Sequence, residues 1–553
     1  MTLDRKKVQL LNSRRNSLVP VGCLPTEVIS RIFGCHVEEI CPCLVTDDRP
    51  NRWWTITPND WLWFTQVCQR WRIVALGTAT LWSTPDFRFK KLSIEMMNRS
   101  RPAPLNVLLH VVEEMDIVRF VCKKVLRKEF SRIAVLDFHL VKNCFLRVFE
   151  EVRGIEEFPV LHSLTVFLGD DDPPRRVLAL PHGLFAKPPP LRTLVLHNLD
   201  FNRSRSSGLL KYLTTLHLSL EDGFTKPLPL ENLLSILEDC RELQELFLED
   251  ILDDSDPSQI SNIRPIELPH LRQFDLGSEF STTASSLCEL VSFPNAHFIY
   301  LRMSMNASMA DDKPRLRRML ERVLLSPGPP SRSTLPPPVK FEPPRFVTIQ
   351  QYDSCDARGS LSFYPSPNSN HRYDAPISVC FQRDNPSFYD SMSILLDVMG
   401  SSGLARLEKL SICARGQKGI PVDIAVEYFG ELKSLRHLVV RGNGTSARSL
   451  MEAIGREIWD DNDGHNGLRR CAFEALHTIR FEEENILSLS NQSQIRRRVR
   501  IGDVLVGSLR RRKEMMGAVG VESIVVDGPF ALDQGELEEV GRLVPDTVFG
   551  VHS

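Results

Sequence analysis

Between residues 133 and 526 the chain returns eleven times to one pattern, apolar-x-x-apolar-x-apolar. A first run reads Ile133-Leu136-Phe138, Leu161-Leu164-Val166, Leu191-Leu194-Leu196, Leu213-Leu216-Leu218, Leu243-Leu246-Leu248, Leu271-Phe274-Leu276 and Ala296-Ile299-Leu301. After a gap come Leu407-Leu410-Ile412, Leu435-Leu438-Val440, Leu476-Ile479-Phe481 and Val521-Ile524-Val526. Successive units of the first run start 28, 30, 22, 30, 28 and 25 residues apart. Alternation in the last four residues of a unit puts two side chains inward on a short strand, with the leading apolar residue packed below it. Helical stretches such as the one over residues 230–237 fill the space between strands. One unit cannot bury that face alone, so the units must stack into a curved α/β solenoid.

The spacing lies at or just above the 20–29 residue period of leucine-rich repeats, which these units resemble in an irregular form. The usual Asn after the strand is mostly missing, and Pro introduces several units, as in Phe158-Pro159 and Pro188-Pro189-Pro190. Residues 100–325 are assigned to this repeat region, ending in helical spacing of Leu316, Met319, Leu320, Val323 and Leu324. Residues 326–344 hold eight prolines and little apolar content, which predicts a disordered or polyproline-like loop, read as a solvated insertion. Residues 345–553 continue the repeats. Strands predicted at 346–349, 361–364 and 377–381 carry them across the gap in degenerate form.

Ahead of the repeats, residues 24–82 show a different period. Pro25 stands where a helix begins without losing a hydrogen bond, Thr26 is placed to cap its first turn, and apolar residues recur at 28/29, 32/33 and 37. A second helical pattern puts Phe64, Val67, Cys68, Trp71 and Ala75 on one face, followed by Leu81-Trp82. That is more apolar surface than a few short helices bury among themselves, so the unit needs a partner. The Leu-Pro-x-Glu-Val opening at Leu24, the Val-Cys-x-x-Trp-Arg centre at Val67 and the Leu-Trp close at Leu81 resemble the F-box, most closely fungal F-box-like domains. The domain is set at 20–90, after a basic tail at 1–19, with a long insert at about 34–60 that carries Cys41, Cys43, Trp53 and Trp54. The fold class expected is thus mixed α/β: a short helical F-box-like module followed by an irregular leucine-rich-repeat-like solenoid.

Several stretches mimic chemistry. Gly442-Asn443-Gly444 with Ala447 fits a loose dinucleotide loop, but its strand is one of the repeats and no complete nucleotide-binding half surrounds it. Residues 460–464 imitate a calcium loop with Trp459 and Arg470 at ligand positions, so they read as an acidic turn. Cys35, His36, Cys41 and Cys43 lack the paired spacing of a zinc knuckle. Arg496–Arg498 and Arg510–Lys513 read as solvated helix faces. No nucleophile elbow, zinc-protease or P-loop motif occurs. The reading is therefore a non-enzyme, with no cofactor and no metal ligands.

Composition narrows the partners. A net charge of −2 provides no bulk field for nucleic acid or a membrane surface, and no apolar run approaches the 18 residues of a membrane span. The 13 scattered cysteines read as reduced thiols of an intracellular protein, cytoplasmic or nuclear.

The resemblance implies a substrate receptor of a Skp–cullin–F-box ubiquitin ligase. Leu24, Pro25, Val28, Ile32, Phe33, Val67, Trp71, Leu81 and Trp82 would form or support the docking face for a Skp-type adaptor and, through it, a cullin. A protein target would lie on the repeats, brought near the conjugating enzyme by proximity alone. The strand positions flanking the inward residues would line a concave surface that begins at Val135, Asp137 and His139. Its centre combines charge and aromatic area: Glu245, Phe247, Glu249, Asp275, Phe298, Tyr300 and Arg302 are the expected target contacts. The alternative is a repeat scaffold that binds partners without any ligase assembly.

Overall fold

The computed structural model describes residues 18–40, 60–111, 115–169 (save 154 and 156), 178–201 (save 181–184 and 186), 208–221, 228–252 and 265–304 (save 279–280 and 297). It further describes 346–351, 358–364, 377–382, 396–397, 404–414, 420–459 (save 443), 469–482, 499–526 (save 518–519), 530–549 and a few isolated positions. The insert over 41–59, the proline-rich 326–344, the acidic turn at 460–464 and Arg496–Arg498 lie outside the described residues, as does most of the helix expected before residue 325. Two compact units emerge, Met1–Glu245 and Leu246–Ser553. Among the described residues no helix is long and apolar enough to cross a membrane.

The first unit opens with helices. α1 (Thr26–Ile40) follows Pro25, whose carbonyl accepts from the Ile29 N–H, so Thr26 is the first helical residue and not the cap. The helix runs through Ile40, shortening the insert expected from residue 34. The second helical pattern breaks in two: α2 (Phe64–Val67) and α3 (Gln69–Gly77) meet at Cys68, which is extended and whose Sγ caps α3 by accepting from the Trp71 N–H. That break turns Val67 away from the face it would share with Trp71 in one continuous helix. α4 (Lys90–Arg99) closes the module.

Its core is aromatic. Ile29 and Phe33, one turn apart on α1, pack with Trp61, Phe64, Val74, Ala75, Leu81, Trp82 and Met96. Phe33 stacks on Phe64 with centroids 4.3 Å apart, and Trp61 meets Trp82 edge-on at 4.9 Å. The Trp82 indole N–H finds the Ala75 carbonyl at 2.8 Å, satisfying its one polar atom. Arg132 ties the module to the strands that follow: it donates to the carbonyls of Met97 and Ala103 and pairs with Glu129.

Those strands are β1 (Leu105–Val111), β2 (Ile133–Val141), β3 (Ser163–Gly169), β4 (Thr193–His197) and β5 (Thr215–Ser219). Neighbours pair in parallel in that order and in register, so Val107, Leu136, Leu164, Leu194 and Leu216 share one line. All five are buried, as alternation predicts. β1 extends the ladder one strand earlier than the pattern at Ile133 indicates. The leading leucines close turns beneath the strands: Leu213 N–H bonds Leu210 and Leu243 N–H bonds Cys240. α5 (Lys142–Arg153) and α6 (Leu230–Asp239) return the chain and bury their apolar stripes. Asn198, just past β4, adopts a left-handed φ of 61° and donates its side chain to the Leu168 carbonyl, a role Asn fills with little strain.

The division between units falls within β6 (Glu245–Glu249). The second unit continues with β7 (Gln273–Ser278), β8 (Phe298–Ser304), β9 (Phe346–Gln351), β10 (Arg358–Tyr364) and β11 (Ile377–Gln382). β12 (Lys409–Ala414), β13 (His437–Gly442), β14 (Thr478–Glu482), β15 (Ser523–Val526) and β16 (Asp546–Phe549) complete it. Its spatial order is β7-β8-β11-β10-β9-β12-β13-β14-β15-β16. β10 runs antiparallel to both β9 and β11, while β11 is parallel to β8 and β9 to β12. The gap strands therefore form an antiparallel meander and not degenerate repeats. α7 (Gly444–Ile454), α8 (Gly502–Met516) and α9 (Gln534–Leu543) pack in this unit, the last opened by an Asp533/Glu536 capping box.

Candidate functional site

The nine residues expected at the adaptor face divide. Phe33, Leu81 and Trp82 are buried and hold the helical core. Leu24 and Trp71 are half-buried against it. Val28 and Ile32, one turn apart on the stripe of α1 beside Ile29 and Phe33, are 41% and 46% exposed, and Val67 is 50% exposed. Pro25, at i and i+3 to Val28, is exposed too. Further apolar side chains that the motif does not single out reach solvent as well, among them Trp63, Ile73 on α3, and Val21 and Phe89. Ile32 lies one turn before His36, whose ring meets Trp63 edge-on at 6.0 Å. Between α1 and α3 a groove of about 540 Å³ is lined by Thr26, Ser30, Arg70, Ile73 and Thr78 among others. Arg70 donates to the carbonyls of Gly22 and Leu24, pinning the segment that leads into α1.

The expected target contacts divide as well. Phe247 is buried: adjacent strands bring same-face side chains to about 5 Å, and a large ring in mid-strand is covered by its neighbours. Glu245 belongs to the first unit, where it accepts from the Thr215 hydroxyl at 3.1 Å. In the second unit Arg302 donates to Glu249 at 2.7 Å, lies 3.7 Å from the buried Asp275 and sits over the Tyr300 ring at 5.6 Å. Phe298 remains 41% exposed, two residues from Tyr300 on the same face. The register places Phe298 beside Gln273 and Tyr300 beside Asp275.

At the start of the ladder is an arrangement with no counterpart in the sequence reading, which assigned no metal ligands. β1 and β2 pair so that His110 stands beside His139. Asp137 precedes His139 by two residues and so shares its face. The Asp137 carboxylate is buried, with Oδ1 3.2 Å from His139 Nε2 and Oδ2 3.5 Å from His110 Nε2. Burial alone would raise its pKa; the two imidazoles outweigh that and hold it below the ordinary carboxylate range. The same register line continues to Phe167, His197 and Ser219. Phe167 stacks on His139 at 5.1 Å and on His197 at 4.0 Å, and His197 Nδ1 lies 2.6 Å from the Ser219 hydroxyl. The available signals were the Asp-x-His alternation in Asp137-Phe138-His139 and the alternation over residues 105–111 that ends beside His110.

The basic run Arg510–Lys513 is not a solvated face throughout. Arg510 pairs with Glu539, whereas Arg512 is fully buried. Its guanidinium donates to the carbonyls of Ala472 at 2.8 Å, Phe473 at 3.1 Å and Ile454 at 3.3 Å. Gly444 opens α7 directly after β13, a strand paired in parallel on both sides like its neighbours in the repeat series.

No protein-family model matches the sequence, and no curated protein matches it. Among solved structures the chain is similar to the "Crystal structure of TLR13-ssRNA13 complex", at 10% identity and a TM-score of 0.29. The similarity covers 80% of this chain and 44% of that one, so the chain spans less than half of that protein's length.

Proposed function

We propose that the protein is a non-catalytic receptor that docks a Skp-type adaptor through its N-terminal helices and a protein target through its repeats. The observation that carries this reading is the division of labour on α1. Ile29 and Phe33 build a buried aromatic core, while Val28 and Ile32 on the adjoining stripe stay exposed beside Pro25. A single exposed apolar residue needs no explanation, but a stripe on a well-packed helix fits a partner's groove. Within the F-box resemblance, the contact residues are then Pro25, Val28 and Ile32, while Phe33, Leu81 and Trp82 act by keeping the helices in place. A cullin would be reached through the adaptor, and ubiquitin transfer would need no catalytic residue of this chain.

The test is co-purification of the full chain with a Skp-type adaptor, comparing wild type with a Val28→Glu/Ile32→Glu variant. Losing both anchors should cost about 2–4 kcal/mol, roughly a 30- to 1,000-fold loss of affinity, with the thermal melt unchanged. Undiminished binding by the variant would remove the docking assignment. A wild-type chain that captures targets but no adaptor would identify a repeat scaffold outside any ligase.

A further inference from the structure

We propose that His110, Asp137 and His139 form a divalent-cation site, with zinc the first candidate. The inference is independent of adaptor docking. It begins with the carboxylate: the Asp137 side chain is 4% exposed, and its Oδ1 makes no hydrogen bond although His139 Nε2 lies only 3.2 Å away. On the opposite face of β2, Leu136, Phe138 and Leu140 are buried, and Val135 is buried on its own face. A carboxylate in such surroundings needs positive charge close by. The groups that face it are the two imidazoles, through their Nε2 atoms.

The spacing is that of ligands around one ion. Zinc binds imidazole nitrogen and carboxylate oxygen at about 2.0–2.2 Å, so adjacent tetrahedral ligands lie about 3.3–3.5 Å apart. His139 Nε2 lies 3.2 Å from Oδ1 and His110 Nε2 3.5 Å from Oδ2. One ligand atom from each residue gives a set within 4.8 Å of one another, close enough to converge on one ion with a small adjustment of the side chains. Two imidazoles and one carboxylate form a borderline donor set that favours zinc or ferrous iron over magnesium or calcium. The rings are also held: Phe167 lies flat on His139, 7° from parallel, and is itself stacked on His197. Such support keeps a ligand ring oriented before the ion arrives. His110 and His139 are partly exposed at 26% and 20%, so an ion has a way in from solvent. Three protein ligands leave a fourth position for water or for a donor from a bound partner.

The experiment uses the full chain, stripped with a chelator, dialysed and titrated with Co²⁺ and then with Zn²⁺ as competitor. The expected result is visible absorption of tetrahedral Co²⁺ that saturates at one equivalent and is abolished by zinc. The His110→Gln/His139→Gln variant should lose it, with affinity down on the order of 100-fold or more. His162→Gln, an exposed histidine just before β3 to which the site assigns no role, should bind as wild type does. Zinc should raise the melting temperature of wild type and not of the double variant. Where the double variant fails to fold, His110→Gln alone, on the edge strand, provides the comparison. Absence of saturable binding would overturn the proposal. So would binding that persists in the histidine variants, since a surviving near-ultraviolet thiolate band would put the metal on cysteine.

Discussion

The helical module and the strand ladder bury their apolar residues by different rules. In the ladder, alternation places the pattern residues: Leu136, Leu164, Leu194 and Leu216 all fall on the inward face and are buried, although β2 is also buried on its other face from Ile133 to Phe138. In the module, neighbours such as Ile32 and Phe33 part company, one at the surface and the other in the core. A helix turns its side chains by 100° per residue, and where the stripe ends depends on what packs against it. The ladder's apolar pattern therefore marks core positions, whereas the motif in the module mixes exposed residues with buried ones.

The sharpest way to break this comparison is within one dipeptide. Phe33→Ala should cost about 3–5 kcal/mol in urea unfolding of the module, because it empties a site walled by Phe64 and Trp71. Ile32→Ala should stay within about 0.5 kcal/mol. Similar losses for the two would mean that the exposed stripe is part of the fold. In the second unit, Arg512→Met should destabilise by about 3 kcal/mol, since three carbonyls lose a charged donor in a buried place. Arg511→Met, on the exposed side of the same helix, should cost little, and a melt of each variant makes the comparison. The smallest contrast lies on the strands. Phe247→Ala should cost about 2–4 kcal/mol, and Phe298→Ala less than about 0.5 kcal/mol, while the latter reduces target capture. Equal stability effects would place Phe298 in the core after all.

Much of the ladder was legible because its strands announce themselves through a local period. All eleven pattern units coincide with strands, from β2 through β15, and the three gap strands lie where short apolar runs predicted them. Strand direction is not in that signal: nothing local to residues 346–382 distinguishes a meander from further repeats, and only pairing partners decide it. The site was less legible. His110 and His139 are 29 positions apart, and they meet because β1 and β2 pair in one register, which no spacing rule over a few residues can reveal. The division of the residues expected at an adaptor face into exposed and buried ones, and the burial of Phe247, depend on neighbours contributed by other elements.

The meander between β8 and β12 also bears on how the second unit assembles. Up to β8, each strand can zip onto the one made just before it, a sequence of short-range closures. Past β8 the next strand in space is β11, which begins 73 residues after β8 ends, because β9 and β10 are passed over. The added loop entropy is modest, about 1 kcal/mol beyond an ordinary repeat linker. The kinetic consequence is larger, since long-range pairing must precede further growth and folding slows as contact order rises. Refolding of the second unit should therefore be limited by seating this three-stranded insert, with strands on either side waiting for it as two halves of a zipper wait for the slider.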